Sequence, residues 1–306
     1  MLGEHVFAIA KLALAAATGR QDEYRSYAGM LAANGGDIDA LFRTALGETA
    51  GGQFGDAWTE QNDDLVDYLV GAATHDGQGT AAAAAKLNAS YVPHAASVLS
   101  SSLSLSSDAA TQLAAGHAMA LKSIIDDTVG DNLRQLYTDI GTARAQAVTF
   151  GDTVTIQVTH EFADRFPGDP LAPESTQRAN VSSLMQQQGY LMTLAADVTI
   201  AGSAADITAV NTALASYAAA MPAPAAVWTE EAQLVVPYAK TGDPAIRQNI
   251  LNHAAAPIDL NSAFTALLQV VDDQRAKRFG NVATDDRAMA AAFAAVADEM
   301  SVSSTS

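Results

Sequence analysis

The chain is expected to be all-α: two tandem up-and-down helical bundles, of four to six helices each, related by internal duplication. Three observations predict this. Ala is abundant while Pro and aromatic residues are sparse, which suits close-packed helices because Ala is the best helix former and lets helix axes approach. Apolar residues recur at three-and-four spacing along most of the chain, the period of one helix face. One segment also occurs twice. Trp58-Thr59-Glu60 is followed by Tyr68, and Trp228-Thr229-Glu230 is followed by Tyr238 at the same distance; these are the only two Trp in the sequence. A repeated anchor marks one helical unit present twice. A β protein is disfavoured, because evenly spaced β-branched runs between turn residues are missing.

The elements follow in order. A first helix is expected over about 2–18, with Leu2, His5, Ile9, Leu12 and Ala16 in one stripe and Glu4, Lys11 and Thr18 opposite. A second runs over about 21–46, where Asn34-Gly35-Gly36 is a candidate break and Gly51-Gly52 punctuates the next connection. The third, about 53–73, carries the Trp anchor, and its stripe of Phe54, Trp58, Gln61, Leu65 and Tyr68 puts a polar Gln61 inside an apolar seam. In the fourth, about 80–100, Pro93 should kink or split the helix. The fifth, about 108–129, is capped by Ser106 or Ser107 and turns His117 inward with Leu113, Leu121 and Ile124. The sixth begins near Asp131. Its segment Thr153–His160 alternates like a strand, but a helix is expected, since a lone strand has nothing to pair with.

Phe166-Pro167-Gly168-Asp169-Pro170, running on to Pro173, is the best linker. It separates a first bundle over 1–167 from a shorter second one over 174–301, with 302–306 as a Ser-rich tail. In the second unit Val181, Leu184, Gln188, Leu191 and Ala195 repeat the first stripe with Gln188 in the place of His5. Ile207 to Tyr217 forms a shortened second helix, ended by Pro222 and Pro224. The Trp228 helix is third, and Asp243-Pro244 opens a short fourth. Val270-Val271-Asp272-Asp273 aligns with Ile124-Ile125-Asp126-Asp127, which puts Ala263 where His117 stands. Met289, Phe293, Val296 and Met300 line the last helix.

The formal charge is −18. Such a surface repels nucleic acid and anionic lipid, so neither is expected as a partner. There is no Cys, hence no thiolate metal site or Cys nucleophile. No apolar run is long enough to span a membrane. The chain enters a helical pattern almost at once, which is expected of a start from which a leader has been removed. The adjacent acids Asp126-Asp127 and Asp272-Asp273 point about 100° apart on a helix and read as a solvated face. His75, His160 and His253 fall near helix ends, and His94 follows Pro93 toward solvent. Zinc-protease, nucleophile-elbow, P-loop and dinucleotide motifs are all missing.

The segments Leu2-Gly3-Glu4-His5, Ala15–Arg20, the Trp58 segment with Val66-Asp67-Tyr68, Leu113–Ile125 and Arg165-Phe166-Pro167 resemble a group of secreted or lipid-anchored bacterial helical proteins without an assigned activity. The likeness covers nearly all of the first unit. It implies an extracellular or cell-envelope setting, where a cell-envelope partner or self-association would be in place, and no known reaction. It also implies an inward His on each of four helices. Two of those positions are His5 and His117 here, while the others fall on Gln61 and near Gln146. The corresponding places in the second unit are Gln188, Glu231, Ala263 and the neighbourhood of Phe293.

His5, Gln61 and His117 lie in the first half of helices one, three and five, which run the same way in an up-and-down bundle, and at 1.5 Å per residue they can share a level. Two imidazoles with Gln61 and Gln146 could hold a transition metal, or two His could ligate haem. The plainer reading is a buried polar network in which these groups satisfy one another. The expected function is accordingly a non-catalytic binding or structural module. A metal- or haem-binding protein built on the first unit and a carrier of a small apolar ligand are the alternatives.

Overall fold

The computed structural model describes residues 1–202, 208–209, 211–215, 225–253 and 260–303. The expected helix over Ile207–Tyr217 falls partly outside these residues. Every secondary-structure element among them is helical, and no strand occurs. The chain divides into two compact units, Met1–Leu171 and Ala172–Ser306.

The first unit contains α1 (Leu2–Ala17), α2 (Gln21–Leu46), α3 (Glu48–Ala73), α4 (Gly77–Lys86), a π-helical turn (Leu87–Tyr91), α5 (Val92–Ser102), α6 (Ser107–Val129) and α7 (Leu133–Glu161). Helix α1 packs against α2, α3, α6 and α7. Every residue from His5 to Ala15 is buried, Lys11 included. The expected polar back of this helix does not exist, because α1 is apolar nearly all round and such a helix is stable only when enclosed. The Lys11 ammonium lies over the Tyr27 ring, 5.4 Å from its centre.

Helices α2 and α3 are joined by Gly47 alone, which takes a φ of 88° that favours glycine. Arg43 lies against Gly51, Asp39 against Gly55 and Gly35 against Asn62, so numbering rises along one helix as it falls along the other: the two are antiparallel. Gly51-Gly52 therefore sits inside α3 rather than in a connection. A Cβ at Gly51 would lie 2.3 Å from the Arg43 Cα, so the glycine lets the two backbones touch. Asn34-Gly35-Gly36 does not break α2 either. The Asn34 amide donates to the Met1 carbonyl and to Glu4 Oε1, both at 3.0 Å, and Gly35 leaves room for Asn62 and Trp58 beneath it.

Pro93 does not end the fourth expected helix: the backbone stays helical from Gly77 to Ser102, and Pro93 stands in the first turn of α5 just after the π-helical turn, a local widening that accommodates its missing N–H. Ser106 caps α6, its hydroxyl accepting from the Ala109 N–H at 3.2 Å. The Thr153–His160 segment is helical, and Val154 and Val158 pack inward.

The second unit contains α8 (Pro173–Ala201), α9 (Ala225–Thr241), α10 (Pro244–His253), α11 (Asn261–Arg275) and α12 (Phe279–Ser303). Here α8 is the enclosed helix, buried without a break from Gln187 to Thr199 and packed against α9, α11 and α12. The last helix reaches Ser303, past the start of the expected tail, and 304–306 lie outside the described residues.

Two polar brackets have the same form in both units. The Tyr68 hydroxyl donates to Asp126 Oδ1 at 2.5 Å, and the Tyr238 hydroxyl donates to Asp272 Oδ1. Asp127 has Asp139 as its neighbouring carboxyl, and Asp273, which accepts from Arg278, has Asp285. In each pair burial and the neighbouring carboxyl raise one group, Asp127 or Asp285, to about 6. Of the acids expected on a solvated face, Asp126 is exposed, Asp127 and Asp272 are half-buried and Asp273 is buried; Asp126 and Asp272 also tie helices together through the Tyr that follows each Trp.

Two glycine substitutions should separate space from propensity. Gly51→Ala should destabilise the fold by about 1–3 kcal/mol through overpacking. Gly36→Ala, with nothing within 4 Å of its Cβ position, should stabilise it by about 0.5–1 kcal/mol. Thermal denaturation followed by circular dichroism reads both.

Candidate functional site

The first unit gathers its polar interior around Trp58. His5 on α1 and His117 on α6 lie beside this indole and beside each other, with ring centres 4.9 and 5.1 Å from it and 5.3 Å apart, and Phe150 on α7 closes the cluster 5.9 Å from His117. His5 Nδ1 is 3.2 Å from His117 Nε2, and His5 Nε2 is 2.8 Å from Asn62 Oδ1. An amide oxygen only accepts, so His5 carries its proton on Nε2 and donates it to Asn62. The bare Nδ1 then accepts from the His117 Nε2–H, and the remaining lone pair, on His117 Nδ1, is buried without a partner. Desolvation holds both rings neutral: His5 falls to about 4, and His117 falls well below the usual histidine value, pushed further by His5.

Of the four residues expected to form a site, His5 and His117 meet. Gln61 is fully buried, but both of its amide atoms lack partners. Gln146 is half-buried on α7, with Oε1 against Gly116, and makes no hydrogen bond to either ring. The partner of His5 is instead Asn62, one residue beyond the expected position. The signal was available: Asn62 follows Trp58 by four residues, as Gln61 follows it by three, and both spacings lie on one helix face. Phe150, four residues after Gln146, is the α7 residue that reaches the rings. His94 is half-exposed with Nδ1 3.4 Å from Glu60.

One metal could span His5 Nδ1 and His117 Nε2, since two ligands at about 2.0–2.1 Å from a metal stand about 3–4 Å apart. Among the described residues, however, no group of three His, Cys, Asp or Glu is placed to complete such a centre. A haem between the rings does not fit. Its axial nitrogens would stand about 4 Å apart across the porphyrin, with iron–nitrogen bonds of about 2 Å, whereas these nitrogens are 3.2 Å apart and hydrogen-bonded.

Asn62 joins this interior to the surface. A groove of about 560 Å³ runs between α2 and α3, and Asn62 lines it beside Gly35 and Gly55. The Asn62 Nδ2 group lies under Gly35, 3.2 Å from where a Cβ would be. A hydrogen-bonded line therefore runs from the groove through Asn62 and His5 to His117.

The second unit also has a buried indole, Trp228, and has no such line among its described residues. Trp228 packs against Phe264 and Phe293, both at 6.1 Å. Gln188, in the register of His5, is fully buried with both amide atoms unpartnered. So is Glu231, in the register of Gln61, whose carboxyl burial raises to about 8. Ala232 stands in the register of Asn62. The polar contacts of α8 lie further along the helix: the Thr193 hydroxyl donates to Asp286 Oδ1 at 2.7 Å, and the Gln274 amide donates to the Thr193 carbonyl at 3.0 Å. Nothing in the periodicity marked that network.

The two interiors should respond to pH in opposite senses. As pH falls from about 6.5 to 4, an unfolded chain protonates His5 while the folded one resists, so this histidine weakens the first unit on acidification. As pH rises from 4.5 to about 8, an unfolded chain loses the Glu231 proton that the folded one keeps, so this carboxyl weakens the second unit on alkalinisation. Each unit has its own Trp, so urea midpoints followed by fluorescence in Trp228→Phe and Trp58→Phe backgrounds report them separately. His5→Gln should flatten the acid loss in the first. Asp127 titrates the other way below about 6, so the effect is read as parent minus variant. Glu231→Gln should flatten the loss between pH 6 and 8 in the second.

No family model, no curated protein and no solved structure matches this chain, so its own side chains are what a function can be argued from.

Proposed function

We propose that the chain is a non-catalytic binding protein of the cell envelope or exterior, built by duplication of one helical scaffold, in which the first unit carries the ligand site. The observation that carries this reading is the line from the α2–α3 groove through Asn62 to the His5–His117 pair. The matching Tyr–Asp and Asp–Asp brackets at corresponding places in the two units support the duplication. On this reading the scaffold was retained in both copies and the polar seam diverged. Neither buried ring touches solvent or a nucleophile, so each orders the groove floor rather than moving a proton to substrate. No helix among the described residues is long and apolar enough to cross a membrane, which accords with a protein held at the envelope by other means or released from it.

The test is ligand-induced stabilisation. A compound found by screening should raise the melting transition reported by Trp58 and leave that reported by Trp228 in place. Turnover of any substrate that is lost in His5→Gln or His117→Gln would overturn the reading.

The 3.2 Å approach of His5 Nδ1 and His117 Nε2 favours one second reading, a transition-metal site in the same unit. Elemental analysis of protein purified without chelators, followed by titration with zinc or copper, decides it. Stoichiometric metal lost in His117→Gln would establish the site, and protein that takes up neither metal would end it.

A further inference from the structure

The lining of the groove describes its ligand. It holds three carboxylates, Asp39, Asp56 and Asp63, against one guanidinium, Arg43. Arg43 is already engaged: its Nε donates to Asp39 Oδ2 at 2.8 Å and its Nη1 to Glu48 Oε2 at 3.1 Å. Asp56 and Asp63 are exposed and have no ion-pair partner among the described residues. They stand two turns apart on α3, about 10 Å along its axis. The negative charge of the groove is thus left uncompensated.

Acidic charge alone attracts any cation, so the second observation is the deciding one. Asn62 is 8% exposed and lines the groove. Its oxygen is taken by His5, while its Nδ2 makes no hydrogen bond within the chain and lies directly beneath Gly35. With its oxygen on His5, the amide turns its free N–H toward the groove. The floor therefore offers a donor, which asks for an acceptor oxygen on the ligand. Leu31 and Val66 supply apolar wall for a short hydrocarbon stem.

We propose that the α2–α3 groove binds a small organic cation that carries a carbonyl oxygen near its ammonium group, the chemistry of an amino-acid amide or a lysine-bearing peptide end. The carbonyl accepts from Asn62 Nδ2, and the ammonium groups sit between Asp56 and Asp63. This rests on reading the chain as a binding protein. It also gives Gly35 a role: a Cβ there, 3.2 Å from Asn62 Nδ2, would crowd the donor and narrow a ligand's approach to it.

Three probes separate the parts of the claim. Lysinamide has two ammonium groups and a carbonyl, cadaverine is the same diamine without the carboxamide, and hexanamide has the carbonyl without charge. Trp58 Cδ1 lies 3.9 Å from the Gly35 Cβ position, so Trp58 fluorescence in a Trp228→Phe background reports occupancy, with calorimetry as a second readout. Lysinamide should bind saturably, cadaverine at least about tenfold more weakly for want of a hydrogen bond, and hexanamide not at all. Gly35→Ala should remove about tenfold or more while helicity is kept, since Ala favours the helix, and its melting transition, measured alongside, separates lost binding from lost fold. Asp56→Asn with Asp63→Asn should do the same. Cadaverine binding as tightly as lysinamide, or Gly35→Ala leaving lysinamide unchanged, overturns the proposal in favour of general cation attraction. No saturable lysinamide binding, alongside a different ligand that Gly35→Ala displaces, overturns the cation class and leaves the binding protein standing. No saturable lysinamide binding and no ligand at all overturns both.

Discussion

Enclosing a helix on every side constrains all that it carries. Helix α1 from His5 to Ala15 and helix α8 from Gln187 to Thr199 have no solvent face. A polar group on such a helix must find its partner on its own helix or on a neighbour, or remain unsatisfied at about 1–3 kcal/mol. His5 finds Asn62 and His117, and Lys11 finds the Tyr27 ring. Thr193 finds Asp286. The surrounding helices are positioned as much by these obligations as by apolar burial, since a hydrogen bond fixes azimuth and level where packing tolerates small rotation.

The two units meet this demand differently. In the first, a chain of side-chain bonds leaves through Asn62 toward a surface groove. In the second, the corresponding positions hold Gln188, Glu231 and Ala263. Two of these are buried polar groups without partners, and the third offers no polar group. Their opposite electrostatic character follows chiefly from desolvation: burial favours the neutral form of either group, which lowers a histidine and raises a carboxyl. What the units share is the frame further along the helices, where a Tyr two to three turns after each Trp donates to an Asp on the helix that faces it. A frame that recurs beside a seam that does not is what divergence after copying would leave.

Much of the site was legible in the sequence. His5 and His117 fall on apolar stripes, and a stripe at helical period points inward whatever the bundle. Asn62 was missed because the stripe through Phe54, Trp58, Gln61 and Leu65 is narrower than the buried face of α3, which packs against α1, α2, α5 and α6 and so buries both Gln61 and Asn62. The rotation of about 100° between adjacent residues then decides which of the two meets a ring. Gly51-Gly52 was misread for a related reason: glycine signals a turn when taken locally, and only the neighbouring backbone reveals that it is there to let a helix approach.

By itself the sequence determined the helical class, most helix ends and the inward faces, because period, caps and prolines act over a few residues along one chain. It also determined the repeated Trp and Tyr positions. The tertiary structure decided that α1 and α8 are enclosed, that Asn62 rather than Gln61 holds His5, that Asp126 and Asp272 accept from tyrosines on a facing helix, and that a groove opens between α2 and α3. Each of these depends on which residues from distant parts of the chain share a level and an azimuth, and no local pattern encodes that.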